Sequence, residues 1–169
     1  MAILKIIKNS LLKGIVDLPR RELLPEAEQL GKELKQVIDR QFHGSFQLRQ
    51  VSAGSCGACE SEVQATINPL YDLQRFGVDF VASPKHADAL LVTGPISRNM
   101  LLALQKTYEA LPGKKFVIAV GDCAVNGGLF KDSYYTLGGV DQVLTVDLHI
   151  PGCPPSPTTI IKTLLGFLK

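Results

Sequence analysis

From residue 45 onward the chain alternates short apolar runs with segments of helical period, the pattern of a sheet whose strands are joined by helices. Residues 46–51, 78–82, 89–92, 116–120 and 143–146 read as strands. Residues 60–70 read as a helix with Val63, Ile67 and Leu70 on one face. Ser97 is the expected N-cap of a helix carrying Leu101, Leu104, Tyr108 and Leu111, which Pro112-Gly113 stops. Ser156-Pro157 opens a last helix whose apolar face is Ile160, Ile161, Leu164, Leu165 and Leu168. Strands alternating with helices predict an α/β fold, an open parallel sheet with helices on both faces.

Residues 1–43 differ in kind: they carry no cysteine and read as a helical N-terminal extension to a single α/β domain over 44–169. Leu4, Ile7, Leu11 and Ile15 fall at helical spacing among Lys5, Lys8 and Lys13. After Pro19 and Pro25 a second stripe follows, Leu30, Leu34, Val37, Ile38 and Phe42, and Gly44 ends it. The first stripe suits packing on its own domain or docking on a membrane subunit or bilayer surface, and the lysines fit the second.

Composition narrows the function classes. A length of 169 residues suits one domain, and 46% apolar with 20% charged residues is ordinary for a globular protein. A net charge of +2 gives no electrostatic footprint for nucleic acid. No apolar stretch reaches the roughly 18 residues of a membrane span, and the lysines interrupt any signal-peptide pattern. A cytoplasmic setting is expected, where thiols stay reduced and four cysteines point to metal or redox chemistry rather than disulfides.

Those cysteines are Cys56 and Cys59, two residues apart after Gly54-Ser55, then Cys123 in Gly121-Asp122-Cys123 and Cys153 in Pro151-Gly152-Cys153-Pro154-Pro155. Each is expected in a loop that follows a strand, and none inside a helix or strand. Loops after parallel strands emerge at one edge of the sheet, where ligands bind, so thiols far apart in sequence are expected to meet there. Four thiolates suit zinc or an iron–sulfur cluster. Structural zinc sites draw on two close ligand pairs, whereas one pair and two singles across a sizeable domain favour a [4Fe–4S] cluster. The N–H groups of Gly54, Gly57, Gly121 or Gly152 would then approach its sulfurs. A thioredoxin-like dithiol at Cys56 and Cys59 would leave Cys123 and Cys153 unexplained.

Several segments in order resemble the small subunits of membrane-bound, energy-converting [NiFe] hydrogenases, relatives of the subunit holding the last cluster of respiratory complex I. The segments are Ser55-Cys56-Gly57-Ala58-Cys59-Glu60-Ser61-Glu62, the stretch from Pro69 to Gly77, Ser83-Pro84-Lys85-His86-Ala87-Asp88, and Val92-Thr93-Gly94-Pro95. Gly121-Asp122-Cys123 with Gly127-Gly128, Val146-Asp147 and residues 151–155 complete the set. The resemblance covers about residues 50–168. The two-residue gap between Cys56 and Cys59 is that of the hydrogenase branch, since complex I subunits carry adjacent cysteines there. Ala58, where Gly is usual, and His149, where an apolar residue is expected, depart from the pattern.

The resemblance implies a flavodoxin-like fold and one [4Fe–4S] cluster on Cys56, Cys59, Cys123 and Cys153. It further implies a NiFe-type large subunit as electron acceptor, a ferredoxin-like iron–sulfur subunit as donor, and integral membrane subunits that place the chain peripherally on the cytoplasmic face of the membrane. Relatives that reduce quinone or sulfur compounds are the neighbouring alternative. Glu60 and Glu62 open a helix, where they complement its dipole and, by the resemblance, are candidates for proton relay. Arg75 either pairs locally with Asp72 or faces the cluster. His86 and His149 read as structural residues, with a tuning role open to His149. No phosphate loop or dinucleotide fingerprint occurs.

Overall fold

The computed structural model describes residues 25–169. The first apolar stripe, Leu4 to Ile15, lies outside them. Five parallel strands form one sheet: β1 (Phe46–Ser52), β2 (Val78–Phe80), β3 (Ala89–Thr93), β4 (Phe116–Val120) and β5 (Leu148–Ile150), in the order β2-β1-β3-β4-β5. This is the flavodoxin-like order. Register runs Leu48 to Ala89, Ala89 to Phe116 and Ile118 to Leu148. The central strand β3 is buried along its whole length, as a strand covered on both faces must be.

Period-two alternation divides the core between the faces. Phe46, Leu48, Leu91, Ile118 and Ile150 point to one face, where they meet α1 (Pro25–Gln41), α2 (Ala58–Ala65) and α5 (Pro157–Leu168) through Leu34, Ile38, Val63, Ile160 and Leu164. Leu90, Val92, Val117 and Ala119 point to the other, against Leu104 and Leu111 around α3 (Leu101–Glu109), Ala124 of α4 (Asp122–Asn126) and Val140. The stripe over residues 30–42, read from sequence as part of an extension, thus packs in the main core. Ion pairs of Glu26 with Lys162 and of Glu33 with Lys169 add contacts between α1 and α5. Among the described residues no helix is long and apolar enough to cross a membrane.

Three expected elements change. Residues 143–146 form no strand; β5 begins at Leu148, while Val143, Leu144 and Val146 pack on the second face. Leu144 N–H bonds back to Val140 O and Asp147 accepts from Val117 N–H, so the segment turns before it pairs. The helix expected over 60–70 ends at Ala65, because Thr66 turns its hydroxyl back onto Val63 O and Asn68 then accepts from Leu70 N–H. Ser97 caps the turn that leads into α3 rather than α3 itself, four residues before Leu101: its hydroxyl accepts from Met100 N–H at 3.4 Å and its carbonyl from Met100 and Leu101 N–H. Ser156 does cap α5, accepting from Thr159 N–H at 3.3 Å.

Leu91 is 0% exposed in β3. Leu91→Ala is expected to cost about 3–5 kcal/mol by leaving a cavity in a sheet with little room to collapse, read as a fall in the denaturant midpoint.

Candidate metal centre

Because the sheet is wholly parallel, the ends of β1, β4 and β5 open at one edge. The loop after β1 carries Cys56 and Cys59, that after β4 carries Cys123, and that after β5 carries Cys153. Cys59 and Cys123 do not lie in free loops as expected. They occupy the first turns of α2 and α4, the first after a five-residue loop from β1 and the second after Gly121 alone.

Close backbone approach assembles the site. Gly121, at φ +86°, ends β4 directly against the Cys59 sulfur; a Cβ there would lie well under 3.0 Å from that Sγ. Gly128 stands against Cys123 in the same way, with a Cβ position 2.8 Å from its Sγ. The loops after β4 and β5 are clasped together: Gly152 N–H donates to Asp122 Oδ1 at 2.7 Å and Asp122 N–H donates to Gly152 O at 2.9 Å. Gly94 lets the loop before Cys56 press on the end of β3, since a Cβ there would collide with the Ser55 backbone.

Cys59 is buried, Cys123 half-buried, and Cys56 and Cys153 exposed. Burial first, then the charge of Glu60 and of Cys123, Cys56 and Cys153, pushes the Cys59 thiol up to about 11. Burial likewise raises Cys123, opposed by the Leu129 backbone N–H, with Cys153, Cys56 and Asp122 adding to the rise. The Cys59 thiol thus feels the charge of the other three cysteines, and the Cys123 thiol that of Cys153 and Cys56. Among the described residues, no three His, Cys, Asp or Glu side chains are grouped as a set that could hold a single metal ion.

The glycines expected to offer N–H groups to a cluster use them elsewhere. Gly57 N–H donates to Ser55 Oγ, Gly121 N–H to Ile150 O, and Gly152 N–H to Asp122. What Gly121 contributes is the missing Cβ. The Leu129 backbone N–H counters the rise at Cys123, an influence sequence reasoning missed, although the Gly127-Gly128 pair just before it marks the turn.

Glu60 is half-buried beside the site, taking hydrogen bonds from Ser55 at 2.6 Å and Thr93 at 2.7 Å. Glu62, further along α2, makes no ion pair among the described residues. Arg75 is not brought to the cysteines. It precedes β2, at the opposite edge of the sheet, and pairs with Glu28 at 2.6 Å and Asp72 at 3.5 Å while lying over the Phe76 ring. His149 is exposed on β5 and His86 is exposed in the turn Pro84–His86.

The four thiols fit a cluster by donor chemistry: soft ligands, one of them buried, on backbone kept close by glycines where a side chain would intrude. The chain is 45% identical over 145 residues to the probable membrane-bound hydrogenase subunit mbhJ of Pyrococcus furiosus, covering 85% of this chain and 86% of that one. It is 40% identical over 134 residues to formate hydrogenlyase subunit 7 of Escherichia coli, covering 79% of this chain but only 51% of that relative. Among solved structures, a chain of the membrane-bound sulfane sulfur reductase, an archaeal respiratory membrane complex, superposes with a TM-score of 0.63 at 33% identity, covering 73% of this chain and 70% of that one. The family described as NADH ubiquinone oxidoreductase, 20 Kd subunit, matches residues 56–167, cysteines included, and the chain belongs to that family.

Proposed function

We propose that Cys56, Cys59, Cys123 and Cys153 hold one [4Fe–4S] cluster, and that the chain is the electron-transfer subunit of a membrane-bound oxidoreductase complex. The observation that carries this is that the ends of β1, β4 and β5 bring the loops bearing the four thiols to one sheet edge, with Gly121 packed against the Cys59 sulfur and the Gly152 carbonyl. When bound, such a cluster supplies one-electron transfer. The chain's own part is to present four thiolates and keep Cys59 out of water.

The proposed acceptor is a NiFe-type large subunit that reduces protons to hydrogen. The donor would be a ferredoxin-like subunit, and integral membrane subunits would hold the chain peripherally on the cytoplasmic face. The names of the Pyrococcus and Escherichia relatives support this branch. The likeness to the sulfane sulfur reductase chain supports a second reading, in which the same cluster serves a sulfur-reducing partner.

A place for the partner adjoins the cysteines. Leu129 is 88% and Tyr134 86% exposed, with Phe130 and Tyr135 also exposed. Their segment is nonetheless well tied: Arg98 Nε donates to Tyr134 O, Asn99 to the Tyr135 hydroxyl, and Leu137 N–H to Ile96 O. Large apolar side chains held out on an ordered backbone mark a protein interface. Since Leu129 directly follows Gly128, which packs against the Cys123 sulfur, a subunit covering this segment would reach the cluster. Leu129→Asp with Tyr134→Asp is expected to release the large subunit, with affinity reduced roughly 30-fold or more, while the chain itself keeps its fold. Affinity purification of the complex through this chain, with nickel analysis, tests both points. Nickel in the recovered partner supports the hydrogenase reading, a nickel-free partner the sulfur-reducing one, and undiminished recovery by the double variant would place the interface elsewhere.

A further inference from the structure

Glu60 was a candidate for proton relay, but its surroundings describe a different task. Ser55 Oγ donates to Oε2 at 2.6 Å and Thr93 Oγ1 to Oε1 at 2.7 Å, so both carboxylate oxygens are engaged as acceptors. Thr93 ends the central strand β3 and is 0% exposed. Ser55 also accepts from Gly57 N–H at 3.1 Å, so the hydroxyl and the carboxylate together close the backbone around Cys56. The loop is seated there by Ala53 N–H on Thr93 O and by the absent side chain of Gly94.

We infer that Glu60 is a positioning residue, whose carboxylate ties the Cys56 loop to the buried end of β3 and so fixes where Cys56 and Cys59 present their sulfurs. The inference rests on the four-cysteine cluster reading. Only a carboxylate offers two oxygens, each able to accept from hydroxyls on different elements; an amide keeps one acceptor oxygen, and an alkyl side chain keeps none.

The test uses the intact complex purified through this chain, with Glu60→Leu, Glu60→Gln, Thr93→Val and the Glu60→Leu/Thr93→Val pair. Readouts are chelator-driven iron loss, the EPR line shape and the midpoint potential. Glu60→Leu is expected to speed iron loss roughly tenfold, the scale of losing charge-assisted hydrogen bonds, and to alter both line shape and potential. Glu60→Gln should fall between it and the native protein. Thr93→Val should move the same readouts in the same direction, and the pair should be no worse than Glu60→Leu alone, because both act through one contact. Glu60→Leu with native iron retention and a native EPR signal would overturn the clamp, as would full additivity in the pair. If Glu60→Leu fails to assemble, Glu60→Gln and Thr93→Val decide: a native signal in both overturns the clamp. Native complex lacking iron, or a signal that survives Cys123→Ala, would instead locate the failure in the cluster reading.

Discussion

Gly121→Ala is expected to abolish cluster binding while leaving the sheet intact. Two costs combine at this position. The backbone sits at φ +86°, a region that side chains adopt reluctantly, and the new methyl group would lie well under 3.0 Å from the Cys59 sulfur and 3.3 Å from Gly152 O. Neither neighbour is the free end of a flexible side chain: one is a buried ligand atom and the other is backbone clasped to Asp122. Relief therefore has to come from the β4 and β5 loops parting, which separates Cys123 and Cys153 from Cys59. Iron content should fall more than tenfold, with the far-ultraviolet circular dichroism unchanged. Gly113→Ala is the matched control, since Gly113 also has a positive φ, +54°, but open space around its Cβ position. It should cost about 1 kcal/mol of stability and no iron.

Cys59→Ala is expected to eliminate the [4Fe–4S] EPR signal that the four-cysteine reading assigns to this chain. Cys59 is the buried one of the four proposed ligands, at 7% exposure, and the remaining three thiols cannot complete a four-ligand set. Its protonation sets the pH dependence of loading. With the thiol pushed up to about 11, the ligand-free site holds this proton at neutral pH and must release it on binding. Reconstitution with ferrous iron and sulfide should therefore gain as pH rises toward that value. In the ligand-free chain the same raised thiol works against the fold at high pH. From about 9, its ordinary value, the unfolded chain loses this proton while the folded chain keeps it, so stability falls between about 9 and about 11.

The parts of this structure that depend on local sequence were readable from it. Alternation over β1, β3 and β4, the Ser156-Pro157 start of α5 and the placement of cysteines after strands follow from side-chain period and turn chemistry. Residues 143–146 misled because their apolar side chains serve packing on the second face, a use indistinguishable by period from a short buried strand. Of the two readings of Arg75, the local pair with Asp72 holds and the one facing the cluster does not, because its shorter partner, Glu28, lies on a helix distant in sequence. The clasp of Asp122 on Gly152 and the bond from Thr93 to Glu60 were invisible for the same reason: each joins groups that only the parallel sheet brings to one edge. The motifs named most of these residues, but only the fold shows what they hold.

The most direct test of the central claim is quantitation of iron, acid-labile sulfide and zinc in the complex purified through this chain, with EPR of the dithionite-reduced sample compared between the native protein and Cys123→Ala. The four-cysteine reading predicts iron and acid-labile sulfide, both diminished in the variant by equal amounts, and a reducible [4Fe–4S] signal present in the native sample and missing from the variant. Zinc in place of iron at these cysteines, or a signal unchanged by the substitution, would contradict it.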